Sequence, residues 1–149
     1  MTVDAPALYQ QVVLDHYKRP RNFGPIADGA QHANGNNPLC GDRITIYVRV
    51  SGPVVTEATF EGVGCAICIA SASLMTEIVR GKTTADVDRL SRRVHDLVSN
   101  APDAPVDGLG TLAALAGVRQ FPVRAKCALL PWHTLRAAIH QHHEVASTE

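Results

Sequence analysis

An alternation of apolar and polar side chains between residues 43 and 51 is the strongest constraint on how this chain can fold. The apolar positions are Ile44, Ile46, Val48 and Val50, and the positions between them are Thr45, Tyr47 and Arg49. A period of two is typical of a strand with one buried face. Gly52-Pro53 then turns the chain, and residues 54–61 return it. The pattern predicts an antiparallel hairpin with one face against a core.

Helical spacing of apolar residues predicts most of the other elements. We expect helices over 6–18, 65–80, 83–99, 109–117 and 123–143, with Thr83 or Thr84 as the cap of the third. Pro131 predicts that the last helix starts late or kinks. A short strand over 30–35 precedes a turn-rich loop from Asn34 to Pro38, and residues 100–108 form another loop.

Composition limits the function classes. The chain has 149 residues, 46% of them hydrophobic and 19% charged, with a formal net charge of zero. This suits one globular domain and gives no basic excess for nucleic acid. No apolar run approaches the roughly 18 residues of a membrane span. Met1 to Leu8 lacks the pattern of a signal peptide, so we expect a cytoplasmic protein whose four cysteines are ligands or nucleophiles and not disulfides.

Two motifs place potential metal ligands beside glycines. Cys40 and Asp42 flank Gly41 just before the hairpin, so the thiol and the carboxylate can face one point. Both groups are acceptable zinc ligands, although a turn with a buried thiol fits the same residues. Cys65 follows Gly64 at a predicted helix start, where free backbone amides favour a thiolate. The alternative for Cys65 is a small residue that fills the helix start.

The two remaining cysteines are interpreted differently. Arg124 and Lys126 bring positive charge beside Cys127 and favour its thiolate, although a core cysteine beside solvated charges is also compatible. Cys68 forms a C-x-x-C pair with Cys65. No second such pair exists, so we interpret Cys68 as a buried small hydrophobe. Spacing alone does not group these cysteines into one site.

Histidines offer weaker signals. We interpret His140, His142 and His143 as a frayed, solvated helix end. His16 and Tyr17 in the first helix belong either to a docking face or to the core.

Four stretches distributed in order over most of the chain carry a family resemblance. They are Leu8 to Phe23 (LYQQVVLDHYKRPRNF), Asn37 to Ile44 (NPLCGDRI), Phe60 to Glu77 (FEGVGCAICIASASLMTE) and Arg124 to Trp132 (RAKCALLPW). Together they resemble the IscU/SufU family of iron–sulfur cluster assembly proteins. The resemblance implies an α+β fold, in which a small antiparallel three-stranded sheet packs against several helices, as in IscU and the N-terminal part of NifU. This agrees with the elements predicted above.

Two features of this chain indicate which branch of that family it resembles. The scaffold branch carries histidine immediately before its last cysteine, whereas the SufU-like branch carries lysine, as Lys126 does here. The SufU-like branch also has an inserted segment, which corresponds to the extra length near 100–121. We therefore expect residues 1–149 to form a single SufU/IscU-like domain with a branch-specific insertion.

The resemblance also implies a site and its partners. Cys40, Asp42, Cys65 and Cys127 would bind zinc, and Cys40 would accept sulfane sulfur from a cysteine desulfurase of the SufS type. The recipient would be an iron–sulfur assembly complex of the SufBCD type. The chain would then be a sulfur carrier and not a stand-alone enzyme.

One hypothesis for the transfer is that the desulfurase supplies a replacement ligand while Cys40 swings toward the persulfide. Arg124 could steady the freed thiolate, although an arginine at a helix start is often solvated. Two other functions stay open. The chain could be a scaffold for a labile iron–sulfur cluster, which thiolates hold well, or a structural zinc adaptor for the desulfurase.

Overall fold

A computed structural model describes residues 5–26, 30–99, 108–140 and 146–147. The helices are α1 (Ala5–Lys18), α2 (Ala66–Val79), α3 (Thr84–Val98), a 3-10 helix (Gly110–Gln120) and α4 (Pro122–Ile139). The strands are β1 (Gln31–Asn37), β2 (Asp42–Ser51), β3 (Val54–Val63) and β4 (Ala146–Ser147).

The sheet has the order β3-β2-β1-β4, and its three long strands are antiparallel. The alternation in β2 puts Ile44, Ile46 and Val48 against the core. The predicted hairpin and the predicted three-stranded α+β fold are therefore confirmed. β4 was not predicted, and it adds two residues that run parallel to β1 beside Gly35.

The predicted loop from Asn34 to Pro38 is wrong, because β1 continues through Asn37. Gly35 looked like a turn residue but serves close packing. A Cβ built on it would lie 2.0 Å from Oγ1 of Thr134 in α4, so only glycine lets this helix approach the strand. The turn falls later and includes Gly41, whose φ of +70° suits glycine.

The core lies between one face of the sheet and the helices, with Trp132 and Phe60 fully buried in it. Small side chains let α2 pack closely against α1 and α4. Thr83 caps α3, since its Oγ1 accepts a 3.1 Å hydrogen bond from the backbone N–H of Asp86. None of the helices in the described part of the chain has the length and apolar character of a bilayer span.

Helix α4 begins at Pro122, so the expectation of a late start is wrong. Pro122 is tolerated in the first turn, where a proline costs no hydrogen bond. The helix continues through Pro131, and the alternative expectation of a kink there stays a prediction. It ends at Ile139. His140 is exposed and contacts Asp88, and His142 and His143 lie outside the described residues.

The segment near 100–121 is described from Gly108 onward. The predicted short helix is present as the 3-10 helix, which packs against α1 and α3. The predicted loop at 100–108 falls almost entirely outside the described residues. That the segment is an insertion, and that residues 1–149 form one domain, stay predictions.

Candidate metal centre

Three of the predicted ligands meet at one point. Cys40 lies in the turn between β1 and β2, Asp42 begins β2, and Cys127 lies in α4. One ligand atom from each lies within 4.8 Å of the other two. Asp42 and Cys127 are fully buried, whereas Cys40 is partly exposed.

Cys65 adjoins this group through its backbone and its thiol. Its N–H donates a 2.8 Å hydrogen bond to Oδ1 of Asp42, and its sulfur caps α2 by accepting from the N–H of Cys68 at 3.5 Å. Its thiol also interacts with that of Cys127. In the described part of the chain, the set of atoms within 4.8 Å of one another omits Cys65, so its sulfur would have to move to join a common ion.

The thiols of Cys65 and Cys127 interact and shift each other's pKa in opposite directions. A hydrogen bond from Cys127, assisted by the N–H groups of Cys68 and Ile67, lowers the pKa of Cys65 to about 6. The same hydrogen bond, together with burial, raises the pKa of Cys127. The N-terminus of α2 therefore favours a thiolate at Cys65, as the sequence predicted.

Asn37 is a site residue that the sequence analysis missed. Its side chain is fully buried, and its Nδ2 donates to Sγ of Cys127 at 3.4 Å and to Oδ2 of Asp42 at 3.5 Å. Its position directly opposite Asp42 in the strand register brings it there. The signal in the sequence is an asparagine close before Cys40, but the turn-forming residues around it predict a loop.

Arg124 lies at the outer side of the centre. It is exposed, and its Nη1 contacts Sγ of Cys40 at 3.5 Å. Around Cys40, three apolar side chains are exposed to solvent by about half or more: Leu39 (65%), Phe121 (49%) and Val123 (65%). With Cys40 and Arg124 they border an open cavity of about 620 Å³.

Cys68 lies in the hydrophobic core and is fully buried. Burial raises the pKa of its thiol, because the thiolate would lose its hydration. Its placement fits the interpretation as a buried small hydrophobe.

The donor set fits a zinc ion. Thiolates and carboxylates are zinc ligands, and at a Zn–S distance of about 2.3 Å the ligands of a tetrahedral ion lie about 3.8 Å apart. The spacing of Cys40, Asp42 and Cys127 is therefore already close to what one ion needs. Thiolates also suit iron–sulfur clusters, so the donor chemistry alone does not select between the two.

The comparisons with known proteins agree with this architecture. The model of the family described as "NifU-like N terminal domain" matches residues 8–128. The zinc-dependent sulfurtransferase SufU of Bacillus subtilis is 43% identical over 133 residues, which cover 89% of each chain. The iron–sulfur cluster assembly scaffold protein IscU of Streptococcus pyogenes is 39% identical over 132 residues, covering 89% of this chain and 82% of the relative.

Solved structures show the same fold. One, from Fervidobacterium islandicum and provisionally described as an iron–sulfur cluster assembly scaffold of the SUF system, superposes with a TM-score of 0.82. It is 30% identical, with 91% of this chain and 99% of the other covered. A NifU-like N-terminal protein from Brucella abortus, at 22% identity and a TM-score of 0.82, supports the fold alone. The resemblance read from the sequence is confirmed: this chain belongs to the NifU-like N-terminal domain family, which includes the IscU and SufU proteins of iron–sulfur cluster assembly.

Proposed function

We propose that this chain is a zinc-dependent sulfur carrier of iron–sulfur cluster assembly. In this proposal Cys40 accepts sulfur from the persulfide of a SufS-type cysteine desulfurase and delivers it to a SufBCD-type complex. The observation that carries it is the position of Cys40, a partly exposed thiol in a turn beside two buried ligands, Asp42 and Cys127. The B. subtilis relative named as a zinc-dependent sulfurtransferase supports it, and the cytoplasm, where thiols stay reduced, is the proposed location.

The proposed zinc ligands are Cys40, Asp42, Cys65 and Cys127. When bound, zinc would keep the coordinating thiols deprotonated at neutral pH. The fold also favours a negative charge on one of these sulfurs, because the N–H groups at the start of α2 stabilise a thiolate at Cys65. Buried Asp42 is held by the N–H of Cys65 and contributes a carboxylate.

The proposed transfer is a thiol–persulfide exchange. The Cys40 thiolate attacks the outer sulfur of the desulfurase persulfide, and a new sulfur–sulfur bond forms on Cys40. The sulfur–sulfur bond of the donor breaks, its cysteine leaves as a thiolate, and the proton stays on the transferred sulfur. No net oxidant is required. Arg124, which contacts Sγ of Cys40 at 3.5 Å, can accompany the negative sulfur as it moves outward.

The surface around Cys40 suits a protein partner. Leu39, Phe121 and Val123 form an exposed apolar border, and Arg124 supplies a charge within it. Exposed apolar groups next to a reactive residue are typical of docking sites. We propose that the desulfurase covers this border, which would exclude water while the persulfide is exchanged.

The test is to locate the transferred sulfur. The zinc-loaded protein is incubated with a SufS-type desulfurase and cysteine, and persulfide-specific alkylation followed by peptide mass analysis identifies the modified thiol. We expect sulfur on Cys40, none in Cys40→Ser, and normal transfer in the control Cys68→Ala, which changes a buried core thiol. Normal sulfur acceptance by Cys40→Ser would overturn the proposal.

The second candidate is a scaffold that assembles a labile iron–sulfur cluster. It is favoured by the thiol set and by the S. pyogenes relative, which is named as a scaffold protein. Lys126, in place of the histidine of the scaffold branch, weighs against it. Metal analysis of protein purified without added metal separates the candidates: iron with acid-labile sulfide supports the scaffold, whereas zinc with inert thiols supports a structural adaptor.

A further inference from the structure

Asn37 contacts two members of the candidate metal centre on its buried side. Its Nδ2 donates to Sγ of Cys127 and to Oδ2 of Asp42, at 3.4 and 3.5 Å. Both acceptors are fully buried, as is Asn37 itself. Because sulfur and a carboxylate oxygen both need a donor, the amide nitrogen and not its oxygen must face them, which sets the orientation of the side chain.

The amide oxygen of Asn37 shows that the stability of the fold does not explain why an asparagine occupies this position. Oδ1 of Asn37 is buried and has no hydrogen-bond partner among the residues that the structure describes. A buried carbonyl without a partner is unfavourable. An apolar side chain at this point of β1 would avoid that cost. The asparagine is therefore explained by what its nitrogen does for Cys127 and Asp42.

The centre is held asymmetrically. Asp42 is fixed at both carboxylate oxygens, by the N–H of Cys65 and by Asn37. Cys127 is fixed by Asn37 within the buried helix α4. The Cys40 sulfur is contacted from the solvent side by the exposed side chain of Arg124, which also interacts with Cys127.

We propose that Asn37 is a positioning residue that keeps Cys127 and Asp42 stationary, so that Cys40 is the ligand that can leave. A metal centre that must release one ligand and keep its ion needs the remaining ligands to be held by other groups. Asn37 supplies this support at the inner side of the centre. The inference rests on the proposed zinc-dependent sulfur transfer, but its test includes measurements that do not depend on transfer.

The variant Asn37→Ala removes the amide and leaves the turn intact, because the turn uses the backbone oxygen of Asn37, which accepts from the N–H of Cys40. Asn37→Ser is the second variant, in case alanine prevents folding. Its hydroxyl is too short to span both acceptors, so the same result is expected. Asn34→Ala is the matched control, since Asn34 is an exposed asparagine of the same strand.

Zinc affinity is measured by competition with a chromogenic chelator. We expect Asn37→Ala to weaken zinc binding by about 10- to 100-fold, as is usual when a group that supports a metal ligand is lost. Asn34→Ala should bind zinc like the unmodified protein. Thermal unfolding without metal shows whether each variant is folded.

Thiol alkylation with peptide mass analysis gives the readout that a merely structural role would not change. In the unmodified zinc protein we expect Cys40 to be alkylated first. In Asn37→Ala, Cys127 should be alkylated alongside it, and in metal-free protein the ratio of Cys127 to Cys40 labelling should also rise. Unchanged zinc affinity together with unchanged labelling order in a folded variant would overturn the inference. Failure of the unmodified protein to bind zinc would refute the proposed function instead, and the metal-free labelling would still test Asn37.

Discussion

The backbone N–H of Cys65 donates a 2.8 Å hydrogen bond to Oδ1 of Asp42, which joins the first residue of β2 to the start of α2. Gly64 makes the approach possible, because a Cβ at that position would lie 2.7 Å from the same oxygen. The carboxylate thus lies at the positive end of the helix, where its charge is favourable. Asp42 therefore has a structural role in addition to its proposed role as a ligand.

Substitution of Asp42 separates these two roles. Asp42→Ala leaves the N–H of Cys65 without its acceptor, and we expect metal-free protein to lose about 1–3 kcal/mol of unfolding free energy. Asp42→Asn keeps an oxygen for that N–H but loses the acceptor for Nδ2 of Asn37, so it should lose less stability than Asp42→Ala. It also removes the carboxylate charge from the donor set. Urea unfolding in the presence of a chelator gives the stabilities, and chelator competition gives the zinc affinities. Equal stability losses in the two variants would contradict the structural role.

The sequence was a reliable guide wherever one pattern dominated. The period of two in β2 predicted the hairpin, and Thr83, one of the two residues expected as the cap of α3, is that cap. The prediction from sequence was wrong where the residue type fits two different structural roles. Gly35 resembles a turn glycine, yet it is needed for contact with Thr134, a residue distant in the sequence. Local patterns carry no information about such a contact.

The candidate centre was predictable in a similar way. The grouping of Cys40, Asp42 and Cys127 depended on the family resemblance, because spacing does not show that α4 meets the β1–β2 turn. Asn37 was missed because its role arises from strand register opposite Asp42. The sequence does not decide between a docking face and the core for His16 and Tyr17, and the structure buries His16 against Ser73 and exposes Tyr17.

The contact between Gly35 and Thr134 gives a prediction about stability. In Gly35→Ala the new methyl group would meet Oγ1 of Thr134 at 2.0 Å, and such overpacking costs about 1–3 kcal/mol. Thr134→Ala removes that oxygen, so the double variant should recover part of the loss. Urea unfolding of the four proteins measures this coupling. Strictly additive losses would show that the two residues do not meet.

Arg124 gives a prediction about the reactivity of Cys40. In Arg124→Ala the Cys40 sulfur loses its guanidinium contact, so we expect slower persulfide acceptance by Cys40. Arg124→Lys keeps the positive charge but loses the paired N–H donors of the guanidinium, so its rate should be intermediate. Single-turnover transfer from the desulfurase measures both rates. Arg80→Ala, which removes an exposed positive charge at the end of α2 opposite Cys65, is the control. An unchanged rate in Arg124→Ala would remove this residue from the mechanism.

His16 makes the stability of the fold depend on pH. Burial, and then the charge of Arg21, lower its pKa from 6.5, against the opposing effects of Glu77 and Asp15. Its Nδ1 bonds to Oγ of Ser73 at 2.7 Å and so joins α1 to α2. Below about pH 6.5 His16 binds a proton more readily in the unfolded chain than in the folded chain. The contribution of His16 to the free energy of unfolding is therefore fully present above this pH and is lost as the pH decreases.

The slope due to His16 cannot exceed about 1.4 kcal/mol per pH unit, which is the effect of one proton. Urea unfolding of metal-free protein between about pH 5 and pH 7 measures it. We expect a shallower pH dependence in His16→Gln, whose amide can still reach Ser73 but does not titrate. His32→Gln, an exposed histidine on β1, is the control and should keep the slope of the unmodified protein. If His16→Gln also kept that slope, the acid sensitivity would arise from other groups, and burial of His16 would not be its cause.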